Sequence, residues 1–187
     1  QFTGALQKMD EFILECADEP EFMAEVCMKT AELSVAFYKW AADLANLEQE
    51  TYGGQFQPLV WAPRSTLYWC DHTAINFSPE LFEQALLPAI KKIHEAFERS
   101  FMFCYPGEGP HVFPAMWRAC ENLTGIHNCQ GEMPGQSGAM MKSLGPEGEK
   151  KEWKYLDSLY REFAGKKSFI IKCPPERIAH YRETFPG

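Results

Sequence analysis

Apolar positions near the start of the chain fall at helical spacing. Met9, Phe12, Ile13 and Cys16 share one side of a short amphipathic helix predicted over residues 8–17. A longer helix is expected from Asp18-Glu19-Pro20-Glu21. Asp18 suits an N-cap, Glu21 completes a capping-box-like pair, and Pro20 fits a first turn. Its apolar stripe reads Phe22, Val26, Leu33, Phe37, Trp40, Leu44 and Leu47, the face expected to turn inward, and it should end before Gly53-Gly54.

The pattern then shortens. "FQPLVWAPRSTLYWCD", residues 56–71, reads as two extended runs interrupted by Pro63-Arg64. Ser78 caps the next helix with Pro79 in its first turn, and Pro88 predicts a break or kink, leaving 88–98 as the main helical piece. A buried strand with a Pro/Gly loop follows over 100–109, a helix over 111–121, and a strand with a Gly-rich loop over 124–138. Residues 149–164 predict a helix with Trp153, Leu156, Leu159, Tyr160 and Phe163 inward and Gly165 at its C-cap. Residues 167–178 predict a last strand and the start of another helix. Strands alternating with helices imply an α/β protein with a parallel sheet, and runs such as FMF and FII suit strands covered on both sides. An open doubly wound sheet and a β/α barrel both satisfy this order. No GxGxxG or GxxxxGK[ST] follows any strand, so nucleotide binding has no motif behind it.

Composition narrows the function classes. With 187 residues the chain can bury a real core, and a net charge of −8 argues against a generally basic nucleic-acid surface. No apolar run approaches the roughly 20 residues of a membrane span. The chain opens with Gln1-Phe2-Thr3-Gly4 and shows no signal peptide. Its seven cysteines are an odd number without a CxxC pair, which favours reduced thiols and a cytoplasmic location. Asn122-Leu123-Thr124 matches a glycosylation sequon, a triplet common by chance.

Candidate chemistry gathers at the carboxyl ends of the strands, where parallel α/β proteins place their active sites. The first end carries Cys70, Asp71 and His72; the second Cys104 and Tyr105, then Glu108 and His111; the third His127 and Cys129; the fourth Cys173. Asp71 is the candidate to bind or protonate a substrate and His72 the candidate acid or base. Tyr105, Glu108, His111 and His127 are candidate substrate contacts. Cys104, Cys129 and Cys173, with His111 and His127 nearby in the same loops, are of the types zinc takes, at a spacing that matches no compact zinc motif. A Cys–His nucleophile pair ranks below these. Each cysteine taken alone reads more readily as a small packed hydrophobe, above all Cys16, Cys27 and Cys120 on helices. Asp71 and His111 have a local alternative as turn or helix caps, and His94 and His180 read as surface or boundary groups on helices.

The ordered segments DEPEFMAEVCMKTAELSVAFYKW, WAPRSTLYWCDHTAINFSPELFEQALLPAIKKIHEAF, FMFCYPGEG, GIHN and GKKSFIIKCPPERI resemble the uroporphyrinogen decarboxylase superfamily, which includes tetrapyrrole decarboxylases and cobalamin-dependent methyltransferases. Phe77-Ser78-Pro79-Glu80-Leu81-Phe82, followed by Leu87-Pro88, is similar to the family's LSPE-x-F…P segment. Trp61-Ala62-Pro63-Arg64 and Pro174-Pro175-Glu176-Arg177 resemble a WAPG hairpin and a PPEEV segment of bacterial members. The resemblance implies a TIM-like (β/α)8 barrel, of which this chain is roughly the C-terminal half, with long N-terminal helices over 8–50 and β/α units over 56–187. Such barrels take about 250 residues. The implied activity is decarboxylation or methyl transfer on a small molecule at the carboxyl face of the strands; the alternative is a catalytically inactive binding or scaffold member. Zinc or a corrinoid is the cofactor the methyltransferase branch implies. The chain departs from that branch's His-x-Cys-Gly motif: Cys104 stands in place of the histidine and Pro106, which has no ligating side chain, in place of the cysteine. Half a barrel leaves apolar sheet edges exposed, so the expected partner is the remainder of the barrel or a second copy, with neither nucleic acid nor membrane involved.

Overall fold

The computed structural model describes residues 8–44, 51–52, 60–61, 66–70, 74–104, 110, 112–128, 145–171 and 173–185. Two helices come first, α1 (Met9–Asp18) and α2 (Pro20–Leu44). The bend between them sits at Glu19, whose φ −133° and ψ 63° lie outside the helical region. Proline disfavours helical geometry in the residue before it, so Pro20 starts a helix and ends one at the same point. Asp18 is therefore the last residue of α1 and not the N-cap of α2.

Phe12 and Cys16 of α1 are buried as the pattern requires. α2 corrects its pattern. Its buried residues are Met23, Cys27, Ala31 and Ser34, whereas Phe22, Leu33, Phe37, Trp40 and Leu44 are half or more exposed. Leu47 lies outside the described residues. The small side chains lie where α2 packs on the helical segment after β3, because small residues let two helix axes approach closely.

A two-residue antiparallel ladder joins β1 (Thr51–Tyr52) to β2 (Val60–Trp61). The main sheet is parallel throughout, in sequential order β3 (Thr66–Cys70), β4 (Arg99–Cys104), β5 (Leu123–Asn128), β6 (Ser168–Ile171). Between β3 and β4 run a 3-10 turn (Ala74–Asn76), a short helix α3 (Pro79–Leu81), a π-helical segment (Phe82–Leu86) and α4 (Leu87–Glu95). Ser78 caps α3 by accepting the Leu81 amide at 3.3 Å. Pro88 has no amide to donate and would clash with a normal preceding turn. The chain widens instead, and the Leu87 amide bonds the Phe82 carbonyl five residues back. The expected break is thus a π-bulge inside a continuous helical run. The remaining connections are α5 (Phe113–Ala119) and α6 (Gly145–Phe163), with α7 (Pro175–Thr184) last.

Cross-strand register assigns the faces. Trp69, Met102, Ile126 and Phe169 form one row across the four strands. Trp69 stands edge-on to Tyr38 of α2 and His94 of α4, and Phe169 packs against Trp117 of α5 and Tyr160 of α6. The helices whose contacts define this row therefore share one side of the sheet, and the main core lies between them and it. Lys167, just before β6, donates to the Cys120 and Leu123 carbonyls and ties this strand to the end of α5. Gly165 closes α6 at φ +75°.

His94 corrects the expectation of a boundary group. It is fully buried on α4, its Nδ1 lies 2.6 Å from Ser100 Oγ, and that hydroxyl donates to the Asn122 carbonyl at 2.9 Å. Burial first, and Lys167 second, push its pKa down to about 4, so the ring is neutral at pH 7.

Candidate functional site

The face of the sheet opposite the helices carries the other alternating set. Register aligns Cys70, Phe103, His127 and Ile170 in one row, and Tyr68, Phe101 and Gly125 in the row before it. Phe103, Tyr68 and Cys70 pack into a small cluster separate from the main core. Phe101 lies over Gly125: a Cβ built on Gly125 would come within 2.0 Å of the Phe101 ring. A missing side chain on β5 is what lets a phenyl ring from β4 lie flat on this face.

His127 is the site residue that the fold describes in a position to act. It sits one residue before the carboxyl end of β5, only 1% exposed, with the Tyr68 hydroxyl 3.1 Å from its Nδ1. Phe103 meets the imidazole edge-on at 5.3 Å. The tyrosine bond spans from β3 to β5 and crosses above β4. It holds the ring plane of His127, and which partner donates follows from the imidazole tautomer. Tyr68 was not among the sequence candidates. Its signal was the alternation in Thr66–Cys70, which puts Tyr68 on the face of Cys70 and Leu67 with Trp69 on the other.

Asn128, also missed, points to the helix side and donates through Nδ2 to the buried Tyr160 hydroxyl. Burial raises the Tyr160 pKa well above the usual phenol range, so this pair is neutral and structural.

Cys104 is the register partner of Asn128 and belongs to the main core, 0% exposed, on the side of the sheet away from His127. Cys173, between β6 and α7, packs in a third cluster with Leu156, Tyr160 and Tyr181. Burial raises its thiol pKa, which disfavours a free nucleophilic thiolate there. Four of the strand-end candidates are thus placed: Cys70 and His127 share a row on one face, Cys104 lies in the core behind it, and Cys173 lies past the last strand. Among the described residues no group of three His, Cys, Asp or Glu side chains is arranged to hold a metal ion. Cys129 and His111, the other expected ligands, lie outside the described residues, as do Asp71, His72, Tyr105 and Glu108. The thiols expected to serve packing do so, with burial raising Cys16 and Cys120 to about 12.

A cavity of about 640 Å³ lies beside β6, lined among others by Phe169, Ile171, Cys173, Ile178, Tyr181 and Phe185. It runs along a strand that has no further partner among the described residues. Beside it, Asp157 of α6 holds α7: Arg177 Nη2 donates to both carboxylate oxygens at 2.8 Å, and His180 Nε2 lies 3.0 Å from Oδ2. The Arg177 guanidinium also stacks 4.7 Å above the Trp153 ring.

These features define an α/β protein with a parallel four-stranded sheet, the described helices on one face, and an imidazole–phenol pair near the strand ends on the other. Among the described residues no helix is long and apolar enough to cross a membrane. The chain matches no protein-family model, no curated protein and no solved structure.

Proposed function

We propose that the chain is part of a β/α barrel of the uroporphyrinogen decarboxylase kind, binding and transforming a small molecule above the carboxyl ends of its strands. The observation that carries this is the Tyr68–His127 pair on the face of a sequentially ordered parallel sheet that bears none of the described helices. Crossovers of one hand between neighbouring strands keep every helix on one side, which is how a barrel winds, whereas a doubly wound sheet reverses and gains helices on both sides. The face of Tyr68 and His127 is then a barrel interior. Large and absent side chains meet on it, as Phe101 and Gly125 do, in the manner of packed barrel layers.

In this reading His127 is a hydrogen-bonding or proton-holding group at the floor of the cleft, aligned by Tyr68. Asp71 and His72 follow directly on the last residue of β3 and supply the acid–base pair. A carboxylated tetrapyrrole or a corrinoid is the class of ligand the family resemblance implies. Titration of the full-length protein with uroporphyrin and, separately, with cobalamin tests it, read by quenching of tryptophan fluorescence. Saturable binding of one of them, weakened about tenfold or more in His127→Gln and in Asp71→Asn, is the expected result. Binding of neither, or binding unchanged in both variants, overturns the reading.

A further inference from the structure

We infer that Tyr68, and not His127, is the member of this pair that touches the ligand, with His127 behind it as a positioning residue. The inference rests on the barrel reading of the chain and assigns the order of the two groups within it. Two rows of side chains make up this face of the sheet. Tyr68, Cys70, Phe101 and Ile170 are half-buried members of those rows, whereas Phe103 is 3% and His127 1% exposed. Tyr68 carries the one side-chain oxygen among the half-buried four. A ligand does not reach a group that has no surface. A buried polar group acts on a ligand through a hydrogen-bonded neighbour that is itself accessible.

Register explains how the imidazole comes to lie beneath. Tyr68 belongs to the row before that of His127, but side chains on a strand lean along it. The Tyr68 hydroxyl reaches forward and across β4 to within 3.1 Å of Nδ1. Phe103 of β4 meets the imidazole edge-on at 5.3 Å and covers a second flank. A phenol oxygen both donates and accepts, and His127 takes one of those two roles through Nδ1. With a bare Nδ1 the phenol donates to it and meets a ligand through its lone pairs. With Nδ1–H the phenol accepts from it and meets a ligand through its own proton. His127 therefore holds the phenol in place and, by its tautomer, selects donor or acceptor character at the Tyr68 oxygen. Substitutions at position 127 separate this role from direct contact. Asparagine sets its amide near the place of Nδ1 and keeps a bond to Tyr68, whereas glutamine reaches toward the place of Nε2.

Two experiments on the full-length protein test the order of the pair. In the first, uroporphyrin and cobalamin are titrated into a set of variants. Tyr68→Phe and His127→Gln should each weaken binding about tenfold, and His127→Asn should stay within about twofold of the parent. Tyr68→Phe/His127→Gln should lose no more than either alone, because one residue acts through the other. The second needs no ligand. Tetranitromethane and, separately, diethyl pyrocarbonate are applied briefly, and the products are mapped by peptide mass spectrometry. Nitration of Tyr68 without carbethoxylation of His127 is expected, and Tyr68→Ala should open His127 to the second reagent. Carbethoxylation of His127 in the parent, or resistance of Tyr68 to nitration, overturns the inference. Additive losses overturn it too, as does tighter binding in His127→Gln than in His127→Asn. Failure of both titrations beside the expected labelling removes the barrel reading and supports the order of the two residues.

Discussion

Two side chains show what a single residue contributes to this fold. His94 folds as the neutral imidazole, with its pKa held down to about 4 by burial. In the unfolded chain it takes a proton below about pH 6.5. The unfolded state therefore binds more protons between those values. Stability is full above pH 6.5 and falls as the pH drops toward 4, by about 3 kcal/mol from this group alone. Urea unfolding at pH 7.5 and pH 5 measures the loss, and His94→Gln, whatever its own cost, should flatten that pH dependence. Gly125 works by absence. Gly125→Ala drives a methyl group into the Phe101 ring and should cost about 1–3 kcal/mol by overpacking. Phe101→Leu should recover most of that cost in the double variant. Additive losses would show that the ring is not what the methyl group meets.

At the scale of elements, punctuation decides where helices bend and stop, and much of it is local. Pro20, Ser78 with Pro79, Pro88 and Gly165 each act within one turn of themselves, so the short-range pattern is enough to anticipate them. Gly165→Ala tests one such stop. A Cβ there meets nothing within 4 Å, so the whole penalty is that of a left-handed backbone, about 1 kcal/mol, with Asn smaller than Ala. Chemical denaturation of both variants measures the order. Part of the candidate site was legible to the same short reach. His127 was proposed because it stands near a strand end, where the fold places it, and Tyr68 was available to the same alternation but hid in an apolar run. Cys104 and Cys173 were proposed on chain position alone. A one-residue change of face in β4 sends Cys104 into the core, and no rule about strand ends sees that.

At the scale of the molecule, the last helix is held by few contacts. Arg177 and His180 bond Asp157 of α6, and Tyr181 packs edge-on to Tyr160, bringing α7 onto α6. Asp157→Asn leaves a half-buried guanidinium without its charge partner and should cost about 1–2 kcal/mol. The effect should be local. Hydrogen exchange is expected to quicken in α7 and β6 while β4 and β5 keep the protection of the intact core. Equal acceleration throughout would show that α7 belongs to the same cooperative unit as the sheet.

The amino-acid pattern by itself determined the alternation of helices and strands, the parallel α/β class, and most of the turns. Those follow from spacing and from backbone chemistry within a few residues. Which stripe of α2 turns inward was decided only by the tertiary structure. The apolar arc of α2 is wide enough to bury either of two stripes, and sequence favours the one with larger side chains. The neighbouring π-bulged helix needs a close approach, which Ala31 and Ser34 permit and Leu33 or Phe37 would block. His94 is likewise polar by type and interior by position, because Ser100 and the Asn122 carbonyl stand where its Nδ1 arrives. The cost of burying a group depends on what waits for it, and those partners come from distant parts of the chain.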